Sequence, residues 1–80
     1  MKVEDIKKVI YTELKKIAPD TMPEALKPDE NYREILDIDS FDALQFIVAI
    51  DEMLGINIPE EDYGKINTIQ NLVNYIVSKK

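Results

Sequence analysis

The fold of this chain of 80 residues is decided by residues 39–55, which read DSFDALQFIVAIDEMLG. Asp39 and Ser40 belong to the residue types that favour the N-cap of a helix. Gly55 suits the position just past the end of a helix, where the backbone often turns left-handed. We therefore predict a helix over residues 41–54.

Apolar side chains lie on two opposite sides of this predicted helix. At about 100° per residue, one side collects Ala43, Phe46, Ile47, Ile50 and Leu54, which we call the core face. The other side collects Phe41, Leu44 and Val48, with Gln45 among them, which we call the outer face. A surface helix needs only one apolar stripe, and a chain this short has too few elements to surround a helix completely. We expect the core face to pack inside the protein and the outer face to bind a partner, unless the loop over residues 18–36 covers it.

Two further helices flank this segment. Residues 3–17 carry apolar side chains at helical spacing and end before Pro19, which cannot continue a helix. Residues 68–78 show the same spacing, and Thr68 is suited to cap their N-terminus. The spacing is carried by Val3, Ile6, Ile10, Leu14 and Ile17 in the first helix and by Ile69, Leu72, Val73, Ile76 and Val77 in the last.

The connecting segments indicate loops and short helices rather than strands. Residues 18–36 contain three of the four prolines, and we predict a long ordered loop there with a turn of helix near residues 32–36. Pro59 at a first helical position, followed by three acids, predicts a short helix that Gly64 limits to a turn or two. The expected fold is therefore all-α, with three main helices and one short helix around a single core, and residues 1–80 form one domain.

The composition excludes most enzyme chemistries. The chain contains no cysteine and no histidine, which removes most activated nucleophiles, most zinc sites and the usual proton shuttle at neutral pH. Asp37-Ile38-Asp39 has the acid spacing of a calcium loop but lacks the rest of that motif. We therefore expect neither a catalytic site nor a metal site. The longest apolar run, Phe46–Ile50, is far shorter than the ~20 residues that span a bilayer, and no signal peptide is recognisable, so we expect no membrane span and a cytoplasmic protein.

The charges are distributed unevenly along the chain. The net charge is −6, yet residues 20–62 alone carry −11, and nine acids but no base lie from Glu34 to Asp62. Such an asymmetry favours electrostatic attraction to basic protein partners and argues against nucleic acid, whose phosphates this surface would repel. An acidic face that serves only solubility is the alternative.

The residues around Ser40 resemble those of a known family. Asp39-Ser40-Phe41-Asp42 resembles the Asp-Ser-Leu signature of the acyl carrier proteins. Residues 56–62 are similar to that family's segment after the helix, and residues 66–70 to its entry into the last helix. The resemblance covers nearly the whole chain and is strongest over residues 35–77. It implies an acyl-carrier-type four-helix bundle.

The resemblance implies a 4′-phosphopantetheine arm, derived from coenzyme A and attached at Ser40, whose thiol holds acyl groups as thioesters. The chain would present these groups to enzymes of fatty acid, polyketide or related biosynthesis. The implied partners are a phosphopantetheinyl transferase and acyl ligases, acyltransferases or ketosynthases with basic docking patches, and the chain is expected to be a monomer. Because nearby acids repel a phosphodiester, we expect the arm to stay mobile rather than pack on the surface.

The resemblance also assigns roles to residues on both faces of the central helix. Partner binding would involve the outer face and nearby acids: Asp39, Phe41, Asp42, Leu44, Gln45, Val48, Asp51 and Glu52. The acyl chain would be sheltered in the bundle core, in a pocket lined by Phe46, Ile50, Leu54, Ile58, Ile66, Leu72 and Ile76.

Three positions depart from the family pattern. Phe41 replaces the usual leucine, Gln45 stands where an acid is usual, and Asp37 lies where a glycine is common. These departures suggest a specialised carrier with its own ligase or transferase. Two alternatives stay open. One is a peptidyl or D-alanyl carrier with an aminoacyl cargo, which the run of acids disfavours, and the other is a helical adaptor that binds proteins without any prosthetic group.

Overall fold

Four α-helices and two 3₁₀ helices follow one another along the described part of the chain. The computed structural model describes residues 2–79, so Met1 and Lys80, which the predicted domain 1–80 includes, lie outside the described residues. The α-helices are α1 (Val3–Ile17), α2 (Tyr32–Ile35), α3 (Ser40–Leu54) and α4 (Ile69–Lys79), and the 3₁₀ helices are Pro23–Ala25 and Glu60–Lys65. The predicted all-α class is confirmed, and the bounds of the three long helices agree with the predicted bounds to within one residue.

The first helix, α1, supplies one wall of the core. Ile6, Ile10 and Leu14 are fully buried, and the helix packs against both α3 and α4. Acids occupy its first turn and lysines its last turn, which is the arrangement that the helix dipole favours. The spacing of its apolar residues therefore allows α1 to pack against both of the other long helices.

Asp39, rather than Ser40, caps the N-terminus of α3. Its Oδ1 accepts a hydrogen bond from the backbone N–H of Asp42 at 2.8 Å, which satisfies one of the N–H groups that have no partner within the helix. Ser40 is the first helical residue. The two residue types are equally suited to capping, so the sequence alone does not choose between them.

The chain enters α3 through a residue with an unusual backbone conformation. Asp37 has a φ angle of 55°, in the left-handed region. Aspartate is one of the few residues other than glycine that enter this region, because its short polar side chain can bond locally. The family resemblance expects a glycine at this position, and the left-handed φ supplies a physical reason for that preference.

The two faces of α3 are divided as the sequence predicts. The core face is buried at every position: Ala43, Phe46, Ile47, Ile50 and Leu54. On the outer face, the exposed fractions are 66% for Phe41, 46% for Leu44 and 44% for Val48. The loop after α1 is tied to the start of α4 instead, because the backbone N–H of Gln70 donates to the carbonyl oxygen of Pro28 at 3.0 Å. The alternative in which this loop covers the outer face is wrong.

The last helix, α4, begins at the predicted cap but buries a narrower stripe than predicted. Thr68 Oγ1 accepts a hydrogen bond from the backbone N–H of Asn71 at 3.1 Å. The buried residues of α4 are Ile69, Leu72, Val73 and Ile76. Val77, which continues the apolar pattern, is 49% exposed. Among the long helices α4 packs closely only against α1. One narrow stripe of apolar side chains is enough for this contact, and Val77 lies outside that stripe.

The segment after Ile58 forms a 3₁₀ helix that differs from the prediction. Pro59 precedes the helix rather than starting it, and the helix runs through Gly64 to Lys65. None of its six residues is buried, although Ile58 and Ile66 on either side are buried in the core. The helix therefore spans the gap between two anchored residues without entering the core itself.

A polar contact holds this 3₁₀ helix to α4. The Tyr75 hydroxyl donates a hydrogen bond to Asp62 Oδ2 at 2.6 Å, and Lys65 forms an ion pair with Asp62 at 3.1 Å. The hydrogen bond from Tyr75, supported by Lys65, holds the pKa of Asp62 below its usual value. The same bond, together with burial, raises the pKa of Tyr75 to about 12. Asp62 is thus ionised and Tyr75 protonated at neutral pH, as the contact requires.

Asp51 closes the turn that follows α3. Its carbonyl oxygen accepts a hydrogen bond from the N–H of Gly55, whose φ of 65° is left-handed, and another from Ile56 at 3.2 Å. Its side-chain Oδ2 lies 3.5 Å from the backbone N–H of Ile58. Its other oxygen, Oδ1, is buried and has no hydrogen-bond partner among the described residues. Burial raises the pKa of Asp51, and the weak bond from Ile58 only partly opposes that shift.

None of the helices described over residues 2–79 combines the length and the apolar character that crossing a membrane requires.

The division of α3 into two faces predicts unequal effects of truncating its side chains. Ile50→Ala and Leu72→Ala each remove a fully buried side chain, and we expect each to lower the free energy of unfolding by about 2–5 kcal/mol. Val48→Ala removes a half-exposed side chain and should lower it far less. Urea denaturation of the three variants measures these losses, and equal losses would contradict the assignment.

Because the Asp51 carboxylate is half-buried, we predict that replacing it with a neutral amide raises the stability of the fold by an amount that depends on pH. The folded-state pKa lies above the unfolded value of about 3.9, so protonation of Asp51 stabilises the folded state relative to the ionised form. This stabilisation is lost as the pH rises through the folded pKa. We expect Asp51→Asn to be more stable than the wild type at pH 7, and the advantage to vanish below about pH 3.9, where both side chains are neutral. Denaturation of both proteins across this range measures the difference.

Glu52→Gln is the matched control, because Glu52 is the exposed neighbour and its replacement changes the net charge equally. A gain as large in Glu52→Gln as in Asp51→Asn would assign the effect to general charge repulsion. A loss of stability in Asp51→Asn at pH 7 would show that the carboxylate stabilises the turn.

Candidate functional site

Ser40 lies exposed at the start of α3 with its side chain free. Since Asp39 supplies the cap, Ser40 Oγ forms no hydrogen bond with any residue in the described range 2–79. The backbone N–H groups and the dipole at a helix N-terminus favour negative charge close by. The hydroxyl is therefore accessible to a modifying enzyme, and the helix N-terminus favours a phosphate there, although Asp39 and Asp42 are close by.

A groove of about 390 Å³ opens beside Ser40. Its walls are α3, the 3₁₀ helix Glu60–Lys65 and the residues around α2, and its volume lies in the range typical of sites for small ligands. Ala43 and Ile47 line it from the core face of α3, and Tyr63 and Asn67 line it from the opposite wall. The groove thus connects the exposed serine to the edge of the apolar core.

Tyr32 holds the walls of this groove together. Its hydroxyl donates a hydrogen bond to the carbonyl oxygen of Ile66 at 2.6 Å, and its ring packs edge-to-face on Phe46 with ring centres 5.5 Å apart. Its backbone N–H donates to the carbonyl oxygen of Asn67 at 3.3 Å. Burial raises the pKa of Tyr32 to about 12, so the hydroxyl remains a hydrogen-bond donor at neutral pH.

The residues predicted to line an acyl pocket come together in the buried core. All are almost completely buried: Phe46, Ile50, Leu54, Ile58, Ile66, Leu72 and Ile76. None of the seven lines the groove beside Ser40. The sequence analysis missed Ala43, Ile47, Tyr63 and Asn67 as groove residues, because helical spacing separates buried from exposed positions but does not show where the packing leaves a gap.

The residues predicted to bind partners differ in their accessibility. Phe41, Leu44, Gln45 and Val48 form an exposed surface, and Asp39 and Glu52 are exposed beside them. Asp42 is half-buried, and its backbone N–H binds the cap residue. Asp51 is also half-buried and turns towards Ile58, so it is less available to a partner than predicted.

The acids near Ser40 do not gather into a cluster suited to a metal ion. Within residues 2–79, no group of three or more acidic side chains lies close enough together to hold one. Asp37 and Asp39, which have the spacing of a calcium loop, are both exposed. The acidic side chains therefore act as separate surface charges in this structure.

Comparison with known proteins places the chain in a family. A family model described as a phosphopantetheine attachment site matches residues 4–76. The acyl carrier protein of Wolinella succinogenes is 34% identical over 77 residues, which cover 96% of this chain and 95% of the relative. The acyl carrier protein of Thermosynechococcus vestitus is 33% identical over 73 residues, covering 88% and 90%. That of Chloroherpeton thalassium is 40% identical over 57 residues, covering 71% of each chain.

The fold is also similar to that of a solved structure. The acyl carrier protein from Enterococcus faecalis, described for its high thermal stability, superimposes with a TM-score of 0.74 and is 27% identical. The match covers 94% of this chain and 98% of the other. With the family match, this similarity makes the chain a phosphopantetheine carrier rather than an enzyme, and the chain belongs to the acyl carrier protein family.

Proposed function

We propose that Ser40 is the attachment point of 4′-phosphopantetheine and that the chain presents acyl groups, held as thioesters, to partner enzymes. The observation that carries this proposal is the position of Ser40. It is exposed at the N-terminus of α3, released from capping by Asp39, and next to a groove that reaches the core. The acid-rich segment from Glu34 to Asp62 favours an acyl cargo over an aminoacyl one.

Attachment requires a single exchange of bonds at phosphorus. Ser40 Oγ forms a bond to the phosphorus that carries the pantetheine in coenzyme A. The pyrophosphate bond breaks, adenosine 3′,5′-bisphosphate leaves, and a base of the transferase takes the serine proton. Ser40 Oγ has no hydrogen bond to lose within residues 2–79, so its reaction leaves the cap of α3 in place.

The remaining side chains fit a carrier of this kind. The chain has no cysteine, so the arm supplies the thiol on which an acyl group forms a thioester. Ala43 and Ile47 line the groove and also belong to the core face. They offer an apolar path from Ser40 towards the buried residues that the sequence analysis assigns to the acyl chain. Because protein interiors are close-packed, an acyl chain would enter this core only if its walls move apart.

The outer face of α3 suits transient binding of basic partners. Its exposed apolar centre is bordered by Asp39, Asp42 and Glu52, and an apolar centre with a charged rim is a common design of docking surfaces. We assign this surface to a phosphopantetheinyl transferase and to acyl ligases, acyltransferases or ketosynthases. Phe41 and Gln45 depart from the family pattern, which favours a specialised pathway of fatty acid, polyketide or related biosynthesis, in the cytoplasm and with a monomeric carrier.

Replacement of Ser40 tests the attachment site. Ser40→Ala should abolish the mass increase that the wild type shows with coenzyme A and a phosphopantetheinyl transferase. Because Asp39 is the cap, the free energy of unfolding should change by less than the ~1 kcal/mol that a lost cap costs. Ser78→Ala is the control, since Ser78 is the only other serine, and it should be modified fully. Modification of Ser40→Ala, or none of the wild type with several transferases, would refute the assignment.

Salt and charge reversal test the docking surface. The rate of modification should fall as salt is added, because exposed charges are screened within about 8–10 Å at physiological ionic strength. Asp42→Lys and Glu52→Lys should each slow modification at low salt, and Glu52→Lys should act more strongly because Glu52 is more exposed. Glu24→Lys, a reversal of equal charge outside α3, should slow it less. Rates that respond to neither salt nor these reversals would rule out electrostatic steering.

A further inference from the structure

Arg33 is the only basic residue in a long acidic part of the chain. Between Lys27 and Lys65 the sequence contains eleven acids and this single base. A lone cation among these acids is the one place in this segment where a side chain attracts an anion.

The structure places Arg33 on the groove that contains Ser40. Arg33 lies in α2, is exposed, and lines that groove together with Ser40. Both backbone polar groups of Arg33 form hydrogen bonds. Its N–H donates to the cap residue Asn31 at 2.9 Å, and its carbonyl oxygen accepts from Ile38 at 2.8 Å. The Cα atom of Arg33, from which its side chain extends, is thus fixed relative to the start of α3.

The guanidinium of Arg33 has no charged partner in the described structure. The ion pairs found within residues 2–79 are Lys16 with Glu13 and Lys65 with Asp62. Arg33 joins neither, although Glu34 and Asp37 are close to it in sequence. A guanidinium offers several N–H donors in a planar arrangement that matches the oxygens of a phosphate. Arg33 also lines a neighbouring cavity with Glu34 and Asp37, but it forms an ion pair with neither, so it has no such pair to lose to an anion in the groove.

From these observations we propose that Arg33 is a positioning residue for the prosthetic arm, pairing with the phosphodiester formed at Ser40. The inference rests on the proposed attachment at Ser40. The pair offsets the repulsion from Asp39 and Asp42 and directs the arm along the groove, towards Asn67 and Tyr63. It replaces the expectation, drawn from the acids alone, that the arm remains free of the surface.

The pairing predicts that Arg33 stabilises the modified form more than the unmodified form. Full-length wild type, Arg33→Gln, Arg33→Lys and Lys27→Gln are each prepared without and with the arm, and mass analysis verifies complete modification. Lys27→Gln is the matched control because it removes the same charge at the border of this acidic segment, at a residue that does not line the groove. Urea denaturation at low salt then gives, for each variant, the ratio of the folding equilibrium constants of the modified and unmodified forms.

We expect Arg33→Gln to lower this ratio by about two- to five-fold relative to the wild type, which corresponds to an exposed ion pair. Lys27→Gln should leave the ratio unchanged, Arg33→Lys should retain part of the effect, and high salt should remove the difference. The ³¹P chemical shift of the phosphodiester should change in Arg33→Gln but not in Lys27→Gln. A purely structural role of Arg33 would affect both forms equally and leave the ³¹P signal in place.

Equal ratios and equal ³¹P shifts in Arg33→Gln and Lys27→Gln would overturn the inference while leaving attachment at Ser40 intact. A slower reaction of Arg33→Gln with partner enzymes, without a change in these two measurements, would likewise overturn it and would assign Arg33 to partner selection. Absence of the arm from the wild type would refute the proposed function itself, and mass analysis alone detects that outcome.

Discussion

The hydrogen bond from the Tyr32 hydroxyl to the carbonyl oxygen of Ile66 joins segments that are far apart in sequence and that enclose the groove beside Ser40. The same side chain packs on Phe46, so α2, the core face of α3 and the approach to α4 meet at one residue. A buried hydroxyl without a partner would be costly, and the carbonyl of Ile66 satisfies it. Because both ends of this bond are buried, the positions of the groove walls follow from the packing of the core.

The parts of the fold that follow local rules could be predicted from the sequence. The bounds of α1, α3 and α4 depend on apolar spacing and on nearby residues such as Pro19, Thr68 and Gly55, whose effects are local. The division of α3 into core and outer faces follows from helical geometry together with the small size of the chain. The candidate serine was found because a short motif coincided with the start of that helix.

Other features depend on how segments meet, and the sequence could not supply them. The choice of Asp39 over Ser40 as the cap, the turning of Asp51 towards Ile58 and the continuation of the 3₁₀ helix through Gly64 each depend on the path of the neighbouring chain. The groove is a gap between elements, which periodicity does not reveal. The sequence shows Arg33 only as a lone base among acids, and its significance comes from the groove that it shares with Ser40.

The 3₁₀ helix Glu60–Lys65 has a mechanical consequence that its sequence alone does not suggest. It forms one wall of the groove, yet none of its side chains is fully buried: Tyr63 packs against the edge of the core, and Asp62 binds Tyr75 of α4 through a partly buried hydrogen bond. Ile58 and Ile66 anchor its two ends in the core. Between these anchors the segment is joined to the rest of the protein by the contact of Tyr63 with the core edge and by the bond between Asp62 and Tyr75, far fewer contacts than a core helix makes. This wall of the groove thus depends on partly buried contacts, whereas the wall formed by α3 is part of the core.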